Sequence, residues 1–283
     1  MNFYIVIPAH NEASFITKTL ESLVSQTLQP KHIVVVNDNS TDNTQTVVEQ
    51  FVKKHDYIAL VNIKSSNTHL PGSKIINAFY KGFETLNSNY DVICKFDADL
   101  IFPNQYLETL AKHYQSNKAI GMASGYCYVE HKEKWIREQI TGKLHIRGAL
   151  KSYTKQCFLD IGGLKKDMGW DSIDEILAKF YKWEMLLDNT LKVKHLKPTG
   201  ANYSKQAKFS QGEAMYKMRY GFVLTFILGT YFTFKRANLS VFKNYVLGYL
   251  KAKKNKLEPF ITKGQGRFAR QQRWIGFKNK LGL

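Results

Sequence analysis

The sequence predicts an α/β fold: a central, mainly parallel sheet flanked by helices, followed by a helical, basic extension. Two observations lead to this prediction. Short apolar runs alternate with longer segments of helical period along the first part of the 283-residue chain, a pattern typical of parallel strands joined by crossover helices. Residues 235–283 contain 13 Lys and Arg and one acid, which gives +12 of the net charge of +18.

The elements of the first half can be assigned in order. Polar loops with helix-capping residues, such as Ser40-Thr41-Asp42 and Pro103-Asn104, separate them. The predicted strands lie near 3–7, 32–36, 57–63 and 91–96, and the predicted helices near 12–26, 43–55, 73–87 and from Gln105 onward. The carboxyl ends of these strands should face one crevice, because ligands of open α/β sheets bind at that edge.

The pattern changes after about residue 119. It predicts an apolar strand over 119–129, a helix-like stretch near 134–159, a glycine-punctuated loop at 161–163 and the start of an acidic helix at 171–175. Beyond Gly200 the chain becomes basic and aromatic. We therefore place a boundary there, between a domain of residues 1–200 and an extension of residues 201–283.

Cysteine usage and the first residues indicate the compartment. The three cysteines, Cys94, Cys127 and Cys157, include no CxxC pair, so neither a disulfide framework nor a cysteine zinc site is expected. The first residues have the pattern of a core strand and lack the basic segment of a signal peptide. A cytoplasmic protein is predicted.

The longest uncharged apolar run lies in the extension. It spans 15 residues, 220–234, whereas a membrane-spanning helix needs about 20. No transmembrane helix is predicted. Two interpretations stay open: a buried core helix, or an interfacial segment that lies on a membrane.

Paired carboxylates follow the fourth predicted strand. In Asp97-Ala98-Asp99 the two-residue spacing directs both carboxylates the same way from the strand end. Carboxylates so placed can hold a divalent cation that also binds a diphosphate. The alternative is a surface turn that caps the next helix. The position at a strand end in an α/β pattern favours the metal site.

Two further loops end at the same edge. Pro8-Ala9-His10-Asn11-Glu12 closes the first strand, and Asn37-Asp38 closes the second. Asp38 is suited to accept a hydrogen bond from a base N–H or a ribose hydroxyl. Strand termination, helix capping and an Asx turn are the alternatives for these loops. The three loops are expected to converge.

These segments resemble a known family. IVIPAHNE, IVVVNDNSTDNT, PGSK and FDADL, in this order and spacing, are similar to the motifs of family 2 glycosyltransferases with the GT-A, Rossmann-like fold, over roughly residues 3–200. The resemblance implies inverting transfer of a sugar from a nucleotide-diphosphate sugar, by default a UDP-sugar, with a divalent cation, Mn²⁺ or Mg²⁺. It also implies a nucleotide-binding half in about 1–100 and an acceptor half in about 101–200.

The family pattern assigns roles to residues of this chain. Asp97 and Asp99 become the ribose and metal carboxylates. Asn37 stands where the family often has Asp, which leaves the preference for a base open. The nucleoside contacts and the residue placed to meet the diphosphate would be Pro8, Ala9, Glu12, Asp38 and Lys74.

Two further segments are candidates that also have ordinary explanations. His195 lies in a predicted strand and would add a third ligand to the metal, or it is a satisfied core histidine. The segment His145-Ile146-Arg147-Gly148-Ala149 would contact the acceptor, or it is part of a basic helix face. The residues alone leave both choices open.

The family's catalytic base is an Asp that begins a helix after a glycine-containing loop. The matching segment is Gly169-Trp170-Asp171-Ser172-Ile173-Asp174-Glu175, with Trp170 where the family usually has Glu. The distance to Lys182-Trp183 favours Asp171 as the base, and Asp174 and Glu175 stay open as alternatives. For one or two of these acids, the explanation is a favourable interaction with the helix dipole.

The extension resembles a subset of the family that is associated with exopolysaccharide or cell-surface glycan assembly. A glycan or lipid-linked glycan acceptor is therefore expected. The apolar run beside many Lys and Arg favours contact with an anionic membrane surface, peripheral on the inner face of the cell membrane. A helical hairpin with a solvated basic face is the alternative. The similar segments are Gln211-Gly212-Glu213-Ala214-Met215-Tyr216, Arg219, Gly248-Tyr249 and 267–273.

Two other functions compete with this interpretation. A net charge of +18, with aromatic residues in the basic tail, is also compatible with a protein that binds nucleic acid or another polyanion. A catalytically inactive GT-A relative is the second competitor. The acidic set is intact apart from Trp170, which favours the enzyme, and no nucleic-acid partner is expected.

Overall fold

The computed structural model describes residues 1–65, 72–138, 145–197 and 209–281. These residues form two compact units. Unit 1 contains 1–65, 74–138, 145–164 and 181–197, and unit 2 contains 72–73, 165–180 and 209–281.

Four parallel strands form one half of the unit 1 sheet. β1 (Phe3–Ala9) pairs with β2 (His32–Asp38) and β4 (Val92–Phe96), and β2 pairs with β3 (Ile58–Ile63), all in parallel. The side chains of β1 and β4 are buried on both faces, as expected of parallel strands covered by helices. The connecting helices are α1 (Ile16–Val24), α2 (Thr44–Val52) and α3 (Ser73–Phe83). The predicted order and type of these elements are confirmed.

Strands of mixed direction complete the sheet. Among the described residues it has nine strands in the order β3-β2-β1-β4-β8-β6-β9-β5, and β7 pairs with β6. β8 is antiparallel to both β4 and β6, whereas β6 and β9 are parallel. The added elements are β5 (Leu100–Ile101), α4 (Tyr106–Ser116), β6 (Ile120–His131), β7 (Lys134–Arg137), β8 (Leu150–Thr154), α5 (Lys155–Asp160) and β9 (Glu184–His195).

The helix-like stretch predicted near 134–159 is wrong. This part of the chain contains β7 and β8, and its described helical residues begin only at Lys155. β8 lies between β4 and β6, and all five of its residues pair with β4. Hydrogen bonds to strands far away in sequence decide the conformation of such a short segment, so its local periodicity does not report it.

Unit 2 is helical. It contains α6 (Trp170–Phe180), α7 (Ser210–Lys217), α8 (Gly221–Arg236), α9 (Leu239–Lys254) and α10 (Lys263–Leu281). α7 packs closely on α9, because a Cβ atom on Gly212 would lie 2.1 Å from the carbonyl oxygen of Tyr245. In the described part of the chain, no helix combines the length and the apolar character needed to cross a membrane. The helical structure predicted for the C-terminal extension is confirmed.

α6 belongs with the C-terminal helices. The sequence pattern placed residues 165–180 in the domain that ends near residue 200, but in the structure they are part of unit 2. Phe180 contacts Phe268 of α10, with ring centroids 5.6 Å apart. Gly200 itself lies outside the described residues. As a division between functions, the predicted boundary stays a prediction.

Candidate active site

Three loops meet at the carboxyl ends of β1, β2 and β4. His10 Nδ1 lies 2.6 Å from the carbonyl oxygen of Asp38, and the Glu12 amide donates to Thr44 Oγ1 at 2.8 Å. Thr19 Oγ1, on α1, donates to the carbonyl oxygen of Ala98 at 2.8 Å. The first loop and its helix are therefore bonded to both of the other loops.

The residues predicted to contact the nucleotide are distributed around these loops. Pro8 and Ala9 end β1 beside β2. Asp38 is buried, and its Oδ1 accepts a hydrogen bond from the Ser65 amide at 3.0 Å. Lys74 lies in the first turn of α3. The preceding residues 66–71, which include the start of the PGSK segment, lie outside the described residues.

Glu12 is electrostatically coupled to the third loop. Its carboxylate accepts a hydrogen bond from Lys197 Nζ at 2.5 Å. Burial raises the pKa of Glu12, and the charges of Asp97 and Asp99 raise it further, while Lys197 opposes both effects. Glu12 is therefore close enough to the two aspartates to respond to their charge.

Asp97 forms an ion pair that the sequence-based assignment missed. Lys95 is buried in β4, where its Nζ bonds to Asp97 Oδ1 and donates to the carbonyl oxygen of Gly148 at 3.1 Å. Burial alone would raise the pKa of Asp97, but Lys95, His195 and Arg147 together hold it below its ordinary value. Asp97 is thus kept ionised. A sequence signal existed: Lys95 interrupts an apolar strand two residues before Asp97, on the same side of the chain.

His195 lies beside the two aspartates at the end of β9. Its Nε2 is 3.4 Å from Asp99 Oδ2. Its Nδ1 is 3.8 Å from Glu138 Oε2 and has no hydrogen-bond partner among the described residues. Burial lowers the pKa of His195, but Asp99, Glu138 and Asp97 raise it to about 9. The role of this imidazole as a metal ligand stays a prediction, with a core histidine as the alternative.

The described residues contain two groups with the spacing of metal ligands. One ligand atom each from Asp97, Asp99 and His195 lies within 4.8 Å of the others, and Cys127, Glu138 and His195 meet the same limit. Burial raises the pKa of Cys127 to about 12, which favours a thiol over the thiolate that binds metals. The first group is therefore the better candidate for a divalent cation.

Glu138 and Arg147 border this group. Arg147 Nη2 lies 3.1 Å from Glu138 Oε2, and both side chains are largely buried. The interpretation of 145–149 as a basic helix face is wrong, because this segment leads through a turn into β8, with the Leu150 amide bonded to the Arg147 carbonyl oxygen. Glu138 carried no sequence signal, since it follows the mostly exposed strand β7 and one of its ionic partners, His195, is distant along the chain.

The three candidates for the catalytic base lie on α6, in unit 2. Asp171 is in the first turn of the helix, and Asp174 and Glu175 are buried. Their spacing of three and four residues places all three on one face of the helix. The metal candidates lie in unit 1. The choice of Asp171 as base, with Asp174 and Glu175 as alternatives, stays a prediction.

A family model described as "Glycosyl transferase family 2" matches residues 4–165, which include the three loops. The chain belongs to glycosyltransferase family 2. The resemblance drawn from the sequence motifs is therefore confirmed. The matched segment includes Asp97, Asp99, Glu138 and Arg147, and it ends before α6 and His195.

Curated relatives of this family 2 chain include a probable glycosyltransferase and a polysaccharide synthase. A probable glycosyltransferase, YdaM, of Bacillus subtilis is 43% identical over 98 residues, which are 34% of this chain and 22% of the relative. A poly-beta-1,6-N-acetyl-D-glucosamine synthase of Staphylococcus epidermidis is 24% identical over 58% of this chain and 42% of the relative. The chain thus spans less than half the length of both relatives.

Solved structures show the same fold. A structure of S. aureus TarS in complex with UDP-GlcNAc has a TM-score of 0.58 at 17% identity, covering 77% of this family 2 chain and 65% of the solved one. The mannosyltransferase PcManGT from Pyrobaculum calidifontis, in complex with GDP-Man and Mn²⁺, has a TM-score of 0.54 at 12% identity, covering 98% and 80%. The predicted GT-A class, with helices flanking a central sheet, is confirmed.

Proposed function

We propose that the chain is an inverting, divalent-metal-dependent glycosyltransferase that moves a hexose-type unit from a nucleotide-diphosphate sugar, a UDP-sugar by default, to a glycan or lipid-linked glycan. One observation carries the proposal. In a chain that belongs to family 2, Asp97, Asp99 and His195 form a compact group at the strand end where the loops after β1 and β2 also meet.

The residues present fit a divalent cation. Two carboxylates and an imidazole are suitable ligands for Mn²⁺, and the buried Nδ1 and Nε2 of His195 have Glu138 and Asp99 as neighbours. If the Nδ1–H group donates to Glu138, the lone pair of Nε2 is free to bind a metal, an arrangement common at metal sites. When bound, the cation would stabilise charge on a departing diphosphate. The PcManGT structure, a complex with GDP-Man and Mn²⁺, supports cation use by this fold.

Other residues of unit 1 would bind and orient the donor. Asp38 is the candidate acceptor for a base or ribose donor group, and Glu12, with Pro8 and Ala9, would line the nucleoside side. Lys74 would meet the diphosphate. Lys95 keeps the Asp97 carboxylate ionised and in place, and a preorganised charge of this kind needs no rearrangement when the leaving group departs.

The transfer is a single displacement. The acceptor hydroxyl oxygen forms a bond to the anomeric carbon while the bond from that carbon to the diphosphate breaks, with inversion. A carboxylate on α6 takes the hydroxyl proton. Asp171 is the preferred base, and Asp174 and Glu175 are the alternatives.

The acceptor class is inferred from a relative, and the location from the sequence of the C-terminal extension. Similarity to a poly-beta-1,6-N-acetyl-D-glucosamine synthase supports a role in polysaccharide or cell-surface glycan synthesis. We place the protein in the cytoplasm, peripheral on the inner face of the cell membrane, with the basic C-terminal extension as the part that meets an anionic surface.

Calorimetric binding of UDP, GDP and dTDP, each with and without Mn²⁺, tests the proposal. One nucleotide should bind more tightly with Mn²⁺ in the wild type, and Asp99→Asn should abolish the metal-dependent part. Asp56→Asn, an exposed acid that precedes β3, is the matched control and should bind as the wild type does. If the affinity is the same with and without Mn²⁺, for all three bases and in Asp99→Asn, and falls only as salt is added, the proposal is wrong. The chain would then be a general polyanion-binding protein.

A further inference from the structure

α8 and α9 form a helical hairpin with a defined contact face. Phe226 packs on Phe242 with ring centroids 5.2 Å apart, and Phe232 packs on Tyr245 at 6.0 Å. Gly229 lies between these pairs, where a Cβ atom would be 3.1 Å from the Cβ of Tyr245. One side of the apolar run at 220–234 is therefore occupied by α9.

The opposite side of α8 is largely exposed. Val223, Ile227, Tyr231 and Phe234 follow one another at intervals of four, four and three residues, so they lie on one face of the helix. Val223, Tyr231 and Phe234 are 63%, 46% and 81% exposed, and Ile227 is half-buried. This outer face, defined by these four residues, carries no charged side chain.

The turn between the helices adds to the outer face. Leu239, the first residue of α9, is 77% exposed. Asn238 accepts a hydrogen bond from the Ser240 amide at 2.9 Å, and the Ala237 amide bonds to the carbonyl oxygen of Phe234. These bonds fix the turn, so Phe234 and Leu239 protrude from an ordered structure.

The chain that follows the outer face is basic. Residues 235–257 contain seven Lys and Arg and no acid. Lys235, Arg236 and Lys243, next to the turn, are all exposed, and the guanidinium of Arg236 lies 5.8 Å from the ring centroid of Phe232. Residues 235–257 therefore offer these cations no acidic partner.

We propose that the outer face of α8, with Phe234 and Leu239 at the turn, docks on the surface of an anionic lipid bilayer. Aromatic and aliphatic side chains suit the boundary between headgroups and acyl chains, and flanking Lys and Arg suit anionic headgroups. The sequence indicated the whole apolar run as the contact. The structure of the hairpin limits the membrane contact to one face of α8 and the turn, because α9 covers the other side of α8.

The same features disfavour a second copy of the chain as the occupant. Two hairpins that met through this face would bring their basic flanks together without any acid in residues 235–257 to pair with them, and like charges across an interface oppose association. The uncharged outer face also offers no partners to the phosphates of a nucleic acid, and phosphate contacts dominate nucleic-acid binding. An anionic lipid surface suits both the apolar outer face and the Lys and Arg residues next to it.

Flotation of the full chain with lipid vesicles tests the proposal. The wild type should bind vesicles of phosphatidylcholine with about 30% phosphatidylglycerol and not pure phosphatidylcholine, since the interaction needs anionic headgroups. The double variant Phe234→Ser/Leu239→Ser should lose about tenfold in vesicle partitioning, and Lys235→Glu/Arg236→Glu should lose at least as much.

Matched controls lie in unit 1. Leu159→Ser removes an apolar side chain that is 56% exposed, and Lys53→Glu/Lys54→Glu reverses two exposed charges; both should bind vesicles as the wild type does. Absent vesicle binding, equal binding by all variants, or a solution dimer that the Phe234/Leu239 variant dissociates would each overturn the proposal. Nucleotide binding measured on the same variants should not change, so failure here is distinguishable from failure of the proposed transfer reaction.

Discussion

In unit 1, Lys95 is buried, Arg147 is largely buried, and both have carboxylate partners, whereas the Lys and Arg residues beside the α8–α9 turn are exposed in a stretch without acids. The apolar side chains differ in the same way: those of β1 and β4 are buried, and the outer face of α8 is not. Charge in unit 1 is therefore organised by the protein itself. Charge in the hairpin faces solvent and is available to an external partner, so net charge alone describes neither region.

Removal of Lys95 should produce the largest effect. Lys95→Met keeps most of the side-chain volume but leaves the Asp97 carboxylate without its cation, and loss of one partner of a buried pair costs about 3 kcal/mol of unfolding free energy. Lys243→Met, in the exposed hairpin, should change stability by less than about 0.5 kcal/mol. Urea denaturation measures both variants. Equal losses of unfolding free energy in the two variants would show that the buried, paired lysine and the exposed lysine contribute alike.

The second largest effect concerns pH, to which unit 1 should respond through His195 and the hairpin should not. The pKa of His195 is raised to about 9 in the folded, metal-free protein, against about 6.5 for an unfolded histidine. Its protonated form therefore stabilises the fold fully below about pH 6.5, and this contribution, of the order of 1 to 3 kcal/mol, is lost as the pH rises through about 9.

Urea unfolding in the presence of a chelator, from about pH 6.5 to about 9.5, tests this. His195→Gln should remove most of the slope. Residues 221–257 of the hairpin contain no histidine, so vesicle binding should stay constant over the range in which lysine remains charged. A wild-type slope that persists in His195→Gln would assign the titration to another group.

The smallest predicted effect concerns Glu138, whose carboxylate lies between Arg147 and His195. Glu138→Gln should weaken Mn²⁺ binding about tenfold, because loss of such an outer partner lowers the basicity and the fixed orientation of a ligating histidine. Titration followed by electron paramagnetic resonance measures the free Mn²⁺. Glu130→Gln, an exposed acid on β6, is the control, and Glu138→Asp should recover part of the affinity. Unchanged affinity in Glu138→Gln would show that His195 is oriented by other contacts.

Several features of the site were accessible from the sequence. Asp97 and Asp99 were located by their spacing of two residues after an apolar strand. The parallel strands before them were located by local periodicity, since a strand buried on both faces is an apolar run wherever its neighbours lie. Lys95 was also accessible, because a lysine inside such a run is unusual and the period of two places it beside Asp97.

Only the tertiary structure decided the rest. β8 depends on pairing with β4, tens of residues away, Glu138 meets His195 from the equally distant strand β9, and α6 belongs with helices that follow it by some 30 residues or more. Local sequence contains no record of these long-range contacts. The sequence by itself determined the fold class, the acidic strand end and the basic, apolar extension. Packing decided which carboxylates surround His195 and which face of α8 stays uncovered, because burial is a property of neighbours that the local pattern does not specify.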